Sequence, residues 1–282
     1  MKPSNLNARI FLDSGDPGET RAVLSLLGFL DGQTTNPSLI AKNPKTAGKK
    51  FSSDELLKFY SGVVKDVSEI IPEGSVSVEV YADANTTAEE MFEQGKEFNA
   101  WIPNAHIKYP TTSAGLKAAE LSVKEGMRVN MTLVFSQEQA AAVYAATKGA
   151  KKGQVFVSPF IGRLDDRGEN GMDLIASIIK MYESGDGHVE VLTASVRSKD
   201  HIFKAIRLKS DIITAPLNVL KEWAEAGLQL PNENFVYEPK NLKLIEYKDI
   251  ALDKVWQEYN IHHELTEKGL EKFAQDWNNL IH

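Results

Sequence analysis

Lys108 lies inside the apolar run "AHIKYP", where a lysine needs either an outlet to water or a task. Other polar residues fall at the ends of other β-rich runs. Asp13 closes "RIFLD", Thr35 and Asn36 close "QTTN", and Glu79 lies in "SVSVEVY". Asn130 and Thr132 occupy "RVNMTLVF", Ser158 lies in "QVFVSP", and Ser195 ends "HVEVLTAS". A lysine surrounded by Asp, Glu, Asn and Thr suits imine chemistry. An amine attacks a carbonyl only when unprotonated, and burial favours that form, although an ionised Asp13 or Glu79 nearby opposes the shift. The resulting iminium is an electron sink, so the adjacent carbon–carbon bond can break without a metal. A carboxylate must then move protons on and off the hydroxyls and the carbinolamine, a task open to Glu79 and Asp13 directly or through a water. Asn36, Asn130 and Thr132 add neutral hydrogen bonds that orient a substrate.

Each residue taken singly has a plainer reading. Asp13 could cap a turn, Asn36 before Pro37 could form an Asx-turn, and Lys108 could be an exposed strand end. The coincidence at so many strand tips favours a site. Two arginines extend it: "SPFIGRLDD" puts Arg163 beyond the sixth run, and "TASVRSKD" puts Arg197 beyond the seventh, beside Ser195. A guanidinium fork binds phosphate with parallel hydrogen bonds, and loops after late strands of a barrel often hold one. The plainer reading is a surface ion pair, with Asp165 or Asp166 as partner for Arg163.

The elements that must position these residues alternate from end to end. Eight short β-rich runs, the last being "DIITAP" at Thr214, are each followed by a helical pattern, which predicts a closed (β/α)8 TIM barrel of the α/β class. Pro110 pushes Tyr109 towards an extended conformation, so Lys108 belongs to the last residues of its strand. Asp16 to Glu19, Ser52 to Glu55, Thr86 to Glu89 and Ser136 to Gln139 fit helix capping boxes, with Pro17 at a first helical position. Leu56, Leu57, Tyr60, Val63, Val64 and Val67 share one helix face. Leu270, Phe273, Ala274, Trp277 and Ile281 repeat the pattern in an addition beyond the eighth strand. No linker or internal repeat interrupts the chain, so residues 1–282 read as one barrel domain with a C-terminal helical extension from about 250.

Composition narrows the functional classes. A net charge of −7 and a pI near 5.5 argue against nucleic acid as the main partner while leaving room for a local phosphate pocket. The absence of cysteine excludes disulfides and thiolate catalysis. No apolar run has the length of a signal peptide or a membrane span, and the expected location is the cytoplasm. The sequons at Asn85 and Asn130 are then chance matches. His262-His263 reads as a surface pair, since adjacent histidines do not share a helix face and no third ligand is spaced nearby. "GDPGET" and "SGDGH" lack the spacing of a nucleotide loop. Trp223, Trp256 and Trp277 read as packing residues.

In order along the chain, "TTNPSLI", "SVEV", "IKYPTT", "VNMTLVFS", "SPFIGR" and "SVRS" resemble the blocks of the transaldolase family, class I aldolase-type (β/α)8 enzymes. The resemblance implies Lys108 as the Schiff-base lysine, Glu79 and Asp13 as acid/base carboxylates, and Asn36, Asn130 and Thr132 around a dihydroxyacetone subsite, with Thr132 counted among the catalytic groups. It further implies Thr35, Ser158 and Phe160 as substrate contacts, and Ser195, Arg197 and Arg163 as phosphate ligands. Such enzymes move a dihydroxyacetone unit between sugar phosphates of the pentose phosphate pathway, without cofactor or metal, as homo-oligomers, often dimers. A related branch, fructose-6-phosphate aldolase, carries glutamine at the position of Glu79 and tyrosine at that of Phe160, so both positions side with transaldolase. Tyr109 stands where the family has an aliphatic residue, and Val196 where it has phenylalanine. These departures leave open a phosphate or another anion, such as a sulfonate, on the substrate.

Overall fold

The computed structural model describes residues 2–239 and 241–282. Eight parallel strands close into a barrel in sequence order: β1 (Arg9–Asp13), β2 (Gly32–Thr34), β3 (Ser75–Glu79), β4 (Ala105–Pro110), β5 (Val129–Val134), β6 (Val155–Pro159), β7 (Val189–Thr193) and β8 (Ile212–Ala215). Closure comes from β1 pairing with β8, where Phe11 lies opposite Thr214. The helices are α1 (Pro17–Leu27), α2 (Pro37–Ala41), α3 (Ser53–Ile70), α4 (Ala88–Asn99), α5 (Ser113–Lys124) and α6 (Gln137–Ala146). They continue as α7 (Ile161–Asp166), α8 (Gly171–Tyr182), α9 (Lys199–Arg207), α10 (Leu217–Glu225) and α11 (Glu264–Asn278). The barrel and the added C-terminal helix expected from the alternation are both present.

Strand parity decides what meets the barrel axis, because residues two apart face the same side. At the base, Arg9 reaches Glu190 at 2.7 Å, Phe11 meets Phe156 edge to face, and His106 stacks on Phe156 with centroids 4.0 Å apart. One layer up, Asn130 donates to Ser77 Oγ at 3.0 Å and Ser158 donates to Asn130 Oδ1 at 2.6 Å. Glu79 and Thr132 sit two residues beyond Ser77 and Asn130, and Lys108, two residues beyond His106, pairs in register with Glu79 on one side and Asn130 on the other. The opposite parity, such as Ile10, Leu12, Val76, Val78, Ile107 and Val129, is wholly buried under the helices. Each such side chain stabilises the fold by roughly 1.5–3 kcal/mol.

Tyr109 belongs to this outer face. Its hydroxyl lies 2.9 Å from Ser122 Oγ of α5, and it occupies the space beside Gly95 of α4, where a Cβ would fall 1.9 Å from the phenol oxygen. A glycine on the neighbouring helix thus accommodates the bulk that an aliphatic residue would not have.

The capping expectations hold in part. Ser52 and Glu55 form the reciprocal box, but the next box is Thr87 with Glu90, one residue beyond the expected Thr86 and Glu89. Thr86 is drawn off by Asp83, whose Oδ1 accepts from the Thr86 hydroxyl at 2.9 Å. Asp16 caps α1 through Gly18 N, while Glu19 turns to Ser14 Oγ; Ser136 caps α6, while Gln139 turns to Phe135 N, Ile261 O and Thr266. In the C-terminal extension the α-helix spans Glu264–Asn278, preceded by a single 3-10 turn at Trp256–Glu258. Before it the chain runs as a strap, held by Gln137 to both the N–H and the C=O of Lys248 and by Glu138 to Asn260 N.

Candidate active site

Lys108 is 2% exposed, and its Nζ lies 2.9 Å from Glu79 Oε2, itself on a buried residue of the adjacent strand. The register Glu79↔Lys108 between β3 and β4 enforces that proximity. The lysine directs an N–H at the Thr35 carbonyl at 3.0 Å, and Glu79 Oε2 has no aligned hydrogen bond among the described residues. Burial raises the pKa of Glu79, while attraction to Lys108 and Arg163 opposes the rise. An amine and a carboxyl are therefore held together where water does not stabilise charge on either.

The surroundings of the pair divide into used and unused polar atoms. Asn130 is engaged by Ser77 and Ser158, and its register partner on β4 is Lys108. The Thr132 hydroxyl is fully buried and has no partner among the described residues. A buried unpaired hydroxyl costs about 1–3 kcal/mol, which a substrate or water at this point would recover. Thr35 does not present its side chain here. Its hydroxyl is turned outward to Tyr60 at 2.6 Å and to Ser77 O at 2.8 Å, so only its carbonyl meets Lys108.

Above Lys108 opens a cavity of about 330 Å³ lined by Asp13, Asn36, Lys108, Ser158, Phe160, Arg163, Ser195 and Arg197, among others. These eight expected residues are brought together; Glu79, Asn130 and Thr132 lie deeper. Asp13 accepts from Thr34 Oγ1 at 2.6 Å, and burial raises its pKa against the attraction of Lys108 and the Thr34 bond. Asn36 accepts from Leu39 N at 2.9 Å, so its oxygen serves as the N-cap of α2 rather than closing an Asx-turn, while its amide N–H groups have no partner among the described residues.

The two arginines differ. Arg163 has no ion pair or hydrogen bond among the described residues, and its guanidinium is held between the rings of Phe160 and Phe273 at 5.4 and 5.3 Å. Burial lowers its pKa, with Glu79 opposing. Asp165, a candidate partner, instead pairs with His201 at 3.1 Å. Arg197 does form a surface pair, with Asp166 at 2.9 Å. Gly162 allows the approach of the two loops, since a Cβ there would meet Ser195 O at 2.3 Å and Arg197 Nε at 2.5 Å. Ser195 itself adopts a left-handed φ of 60°. A desolvated, unpaired guanidinium at the cavity wall is a ready anion ligand. A larger groove, about 1120 Å³ between α11 and the loops after β3 and β4, is lined by other charged residues, such as Asp83, Glu267 and Lys268, and by none of Lys108, Glu79 and Asp13.

A family model described as Transaldolase/Fructose-6-phosphate aldolase matches residues 10–282. The chain belongs to this family. Within the transaldolase/fructose-6-phosphate aldolase family, a Brucella ovis protein named "Probable transaldolase" is 37% identical over 269 residues, covering 95% of this chain and 96% of that one. Proteins of the same name from Paracoccus denitrificans and Cereibacter sphaeroides are each 36% identical over 269 residues, covering 95% of this chain and 96% and 95% of theirs. The chain is thus an enzyme of transaldolase type, a transferase built on a TIM barrel.

Several residues of this cavity escaped the sequence reading. Lys42 lines the mouth without an ion pair among the described residues, Thr34 links Asp13 to Thr214, and Phe273 of α11 covers Arg163. Thr34 had a signal, namely its two-residue spacing from Asn36 along the run "QTTN". Phe273 had none beyond its place on an apolar helix face. His262 is the expected surface residue, paired with Glu267, whereas His263 caps α11 and stacks on Phe135.

Proposed function

We propose that this enzyme transfers a dihydroxyacetone unit from a ketose phosphate, fructose 6-phosphate or sedoheptulose 7-phosphate, to an aldose phosphate through a Schiff base on Lys108. The observation that carries the reading is the buried Lys108–Glu79 contact of 2.9 Å at the floor of a cavity whose wall holds the unpaired Arg163. Nζ attacks the ketose carbonyl. Glu79, in contact with that nitrogen, protonates the departing hydroxyl of the carbinolamine, directly or through a water that Thr132 can bind. Asp13, on the cavity wall, takes the proton of the hydroxyl on the carbon beyond the bond to be cleaved. That bond then breaks, with its electrons passing into the iminium. The aldose leaves and an enamine stays on Lys108 until an acceptor aldehyde takes its place. Asn36 and Asn130 orient the three-carbon unit, Ser158 holds Asn130, and Arg163, with Ser195 and Arg197, takes the phosphate.

Phe160 supports transfer over release of free dihydroxyacetone. It lies buried at the cavity wall with no hydroxyl to position water for hydrolysis of the intermediate. The sulfonate alternative draws on the same Arg163. Borohydride added with fructose 6-phosphate is expected to leave one adduct, located on Lys108 by mass spectrometry. No adduct, or an adduct on another lysine, would overturn the assignment. Comparable turnover without an aldehyde acceptor would replace transaldolase by aldolase, and preference for sulfonated over phosphorylated donors would replace the phosphate. The proposed setting is the cytoplasmic pentose phosphate pathway, with the protein as a single barrel domain working as a homo-oligomer.

A further inference from the structure

Tyr60 of α3 sits behind the Lys108–Glu79 pair, on the outer side of the barrel, with no exposed surface. Its hydroxyl is the centre of a chain of hydrogen bonds whose direction is forced by the groups at the ends. Glu79 N–H donates to Tyr60 Oη at 2.8 Å. Thr35 Oγ1 gives its one proton to the Ser77 carbonyl at 2.8 Å, so the 2.6 Å contact between the two hydroxyls has Tyr60 as donor. The phenol therefore ties the backbone at Glu79 to the side chain of Thr35. These are the residues whose carboxylate and whose carbonyl hold Lys108 Nζ, at 2.9 and 3.0 Å. The ring is in turn wedged edge to face against Phe98, Trp101 and Trp277 of α11, with centroids 5.8–5.9 Å away.

We infer that Tyr60 is a positioning residue for the Schiff-base step: its hydroxyl locks the two backbone segments that aim the Lys108 amine and the Glu79 carboxylate at the substrate carbonyl. The inference rests on Lys108 being the nucleophile. Tyr60 touches no substrate. Its loss acts on the approach of Nζ, where a misplacement of about 1 Å costs on the order of a hundredfold in rate, and leaves the anion end of the cavity intact.

The test compares the parent enzyme with Tyr60→Phe and Tyr109→Phe. The second removes a matched buried phenol hydroxyl from the outer face of β4, next to Lys108 in sequence but bonded to α5. Steady-state rates are measured with fructose 6-phosphate and erythrose 4-phosphate, and borohydride trapping on Lys108 is followed in time. For Tyr60→Phe, kcat and the trapping rate constant are expected to fall together by about 10- to 100-fold, with little change in KM and full final trapping. Tyr109→Phe is expected to match the parent in both. A Tyr60→Phe trapping rate constant equal to the parent's overturns the inference, also when the final amount falls, because that pattern reports lost folded protein alone. An equal loss in Tyr109→Phe overturns it too. If the parent gives no adduct on Lys108, the functional assignment itself fails, a result distinct from either.

Discussion

Gly269→Ala is expected to separate anion binding from stability. Gly269 lies inside α11, and a Cβ built there falls 2.6 Å from Leu133 Cδ2 and 2.7 Å from Arg163 Nη1. Alanine favours a helix interior over glycine by about 1 kcal/mol, and overpacking costs typically about 1–3 kcal/mol, so the net change in stability is a loss of at most about 2 kcal/mol. Both atoms it meets are ends of side chains and can withdraw. Arg163 cannot withdraw freely, because Phe160 and Phe273 hold its guanidinium at 5.4 and 5.3 Å. Relief of the contact needs a shift of roughly 0.7–1 Å to reach ordinary van der Waals separation. A shift of that size takes one N–H out of line with a bound phosphate oxygen, and a charge-assisted bond is worth about 1.5–3 kcal/mol. KM for fructose 6-phosphate should then rise by about 10- to 150-fold, with kcat for the saturated enzyme much less affected. Steady-state kinetics with fructose 6-phosphate and with unphosphorylated fructose, beside thermal melts, read all three quantities. An unchanged KM for the phosphorylated donor, or an equal loss with fructose, would refute the placement of Arg163 as the anion ligand.

Lys108→Met should abolish turnover and trapping while keeping the barrel. It also removes the attraction that holds the Glu79 pKa down against burial. With that pKa raised further above its unfolded value, the variant should be most stable in acid and lose stability as pH rises through it; melts showing the opposite slope would contradict this. In the parent, burial raises both Glu79 and Asp13, so the acid limb of kcat/KM should lie above the ordinary carboxylate range near pH 4, and a limb at or below that value would tell against either as base. Burial pushes His106 down to about 3. Its unfolded form takes up a proton near pH 6.5, so stability should fall by up to about 1.4 kcal/mol per unit as pH drops from there towards 3, and urea midpoints of His106→Gln should lack that slope. Phe160→Tyr should raise acceptor-free release of dihydroxyacetone, measured by a coupled reductase, and no increase would remove Phe160 from the argument for transfer.

The polar strand tips were legible because parity along a strand is fixed by covalent geometry. Once "AHIKYP" and "SVSVEVY" are neighbouring parallel strands, Lys108 and Glu79 share a layer on the axis. The same rule, applied strictly, separates Thr34 from Thr35 and sends the Thr35 hydroxyl outward, so that expectation was open to correction from the sequence alone. The arginines were less legible: both follow a strand and both have acids close by, yet of the two only Arg197 is paired among the described residues, because His201 takes Asp165 and two rings enclose Arg163. Helical periodicity marked Tyr60, Phe273 and Trp277 as buried without naming their partners. A period reports which face of a helix is covered, while the partner depends on how that helix lies across the barrel, and α11 reaches the site from more than a hundred residues beyond Arg163. A helix added after the eighth strand has no counterpart in the repeating β/α pattern. Its docking beside the cavity through Phe273 and Trp277 therefore follows from packing alone, and Gly269 and Tyr60 are the positions where that packing meets Arg163 and the groups behind the Lys108–Glu79 pair.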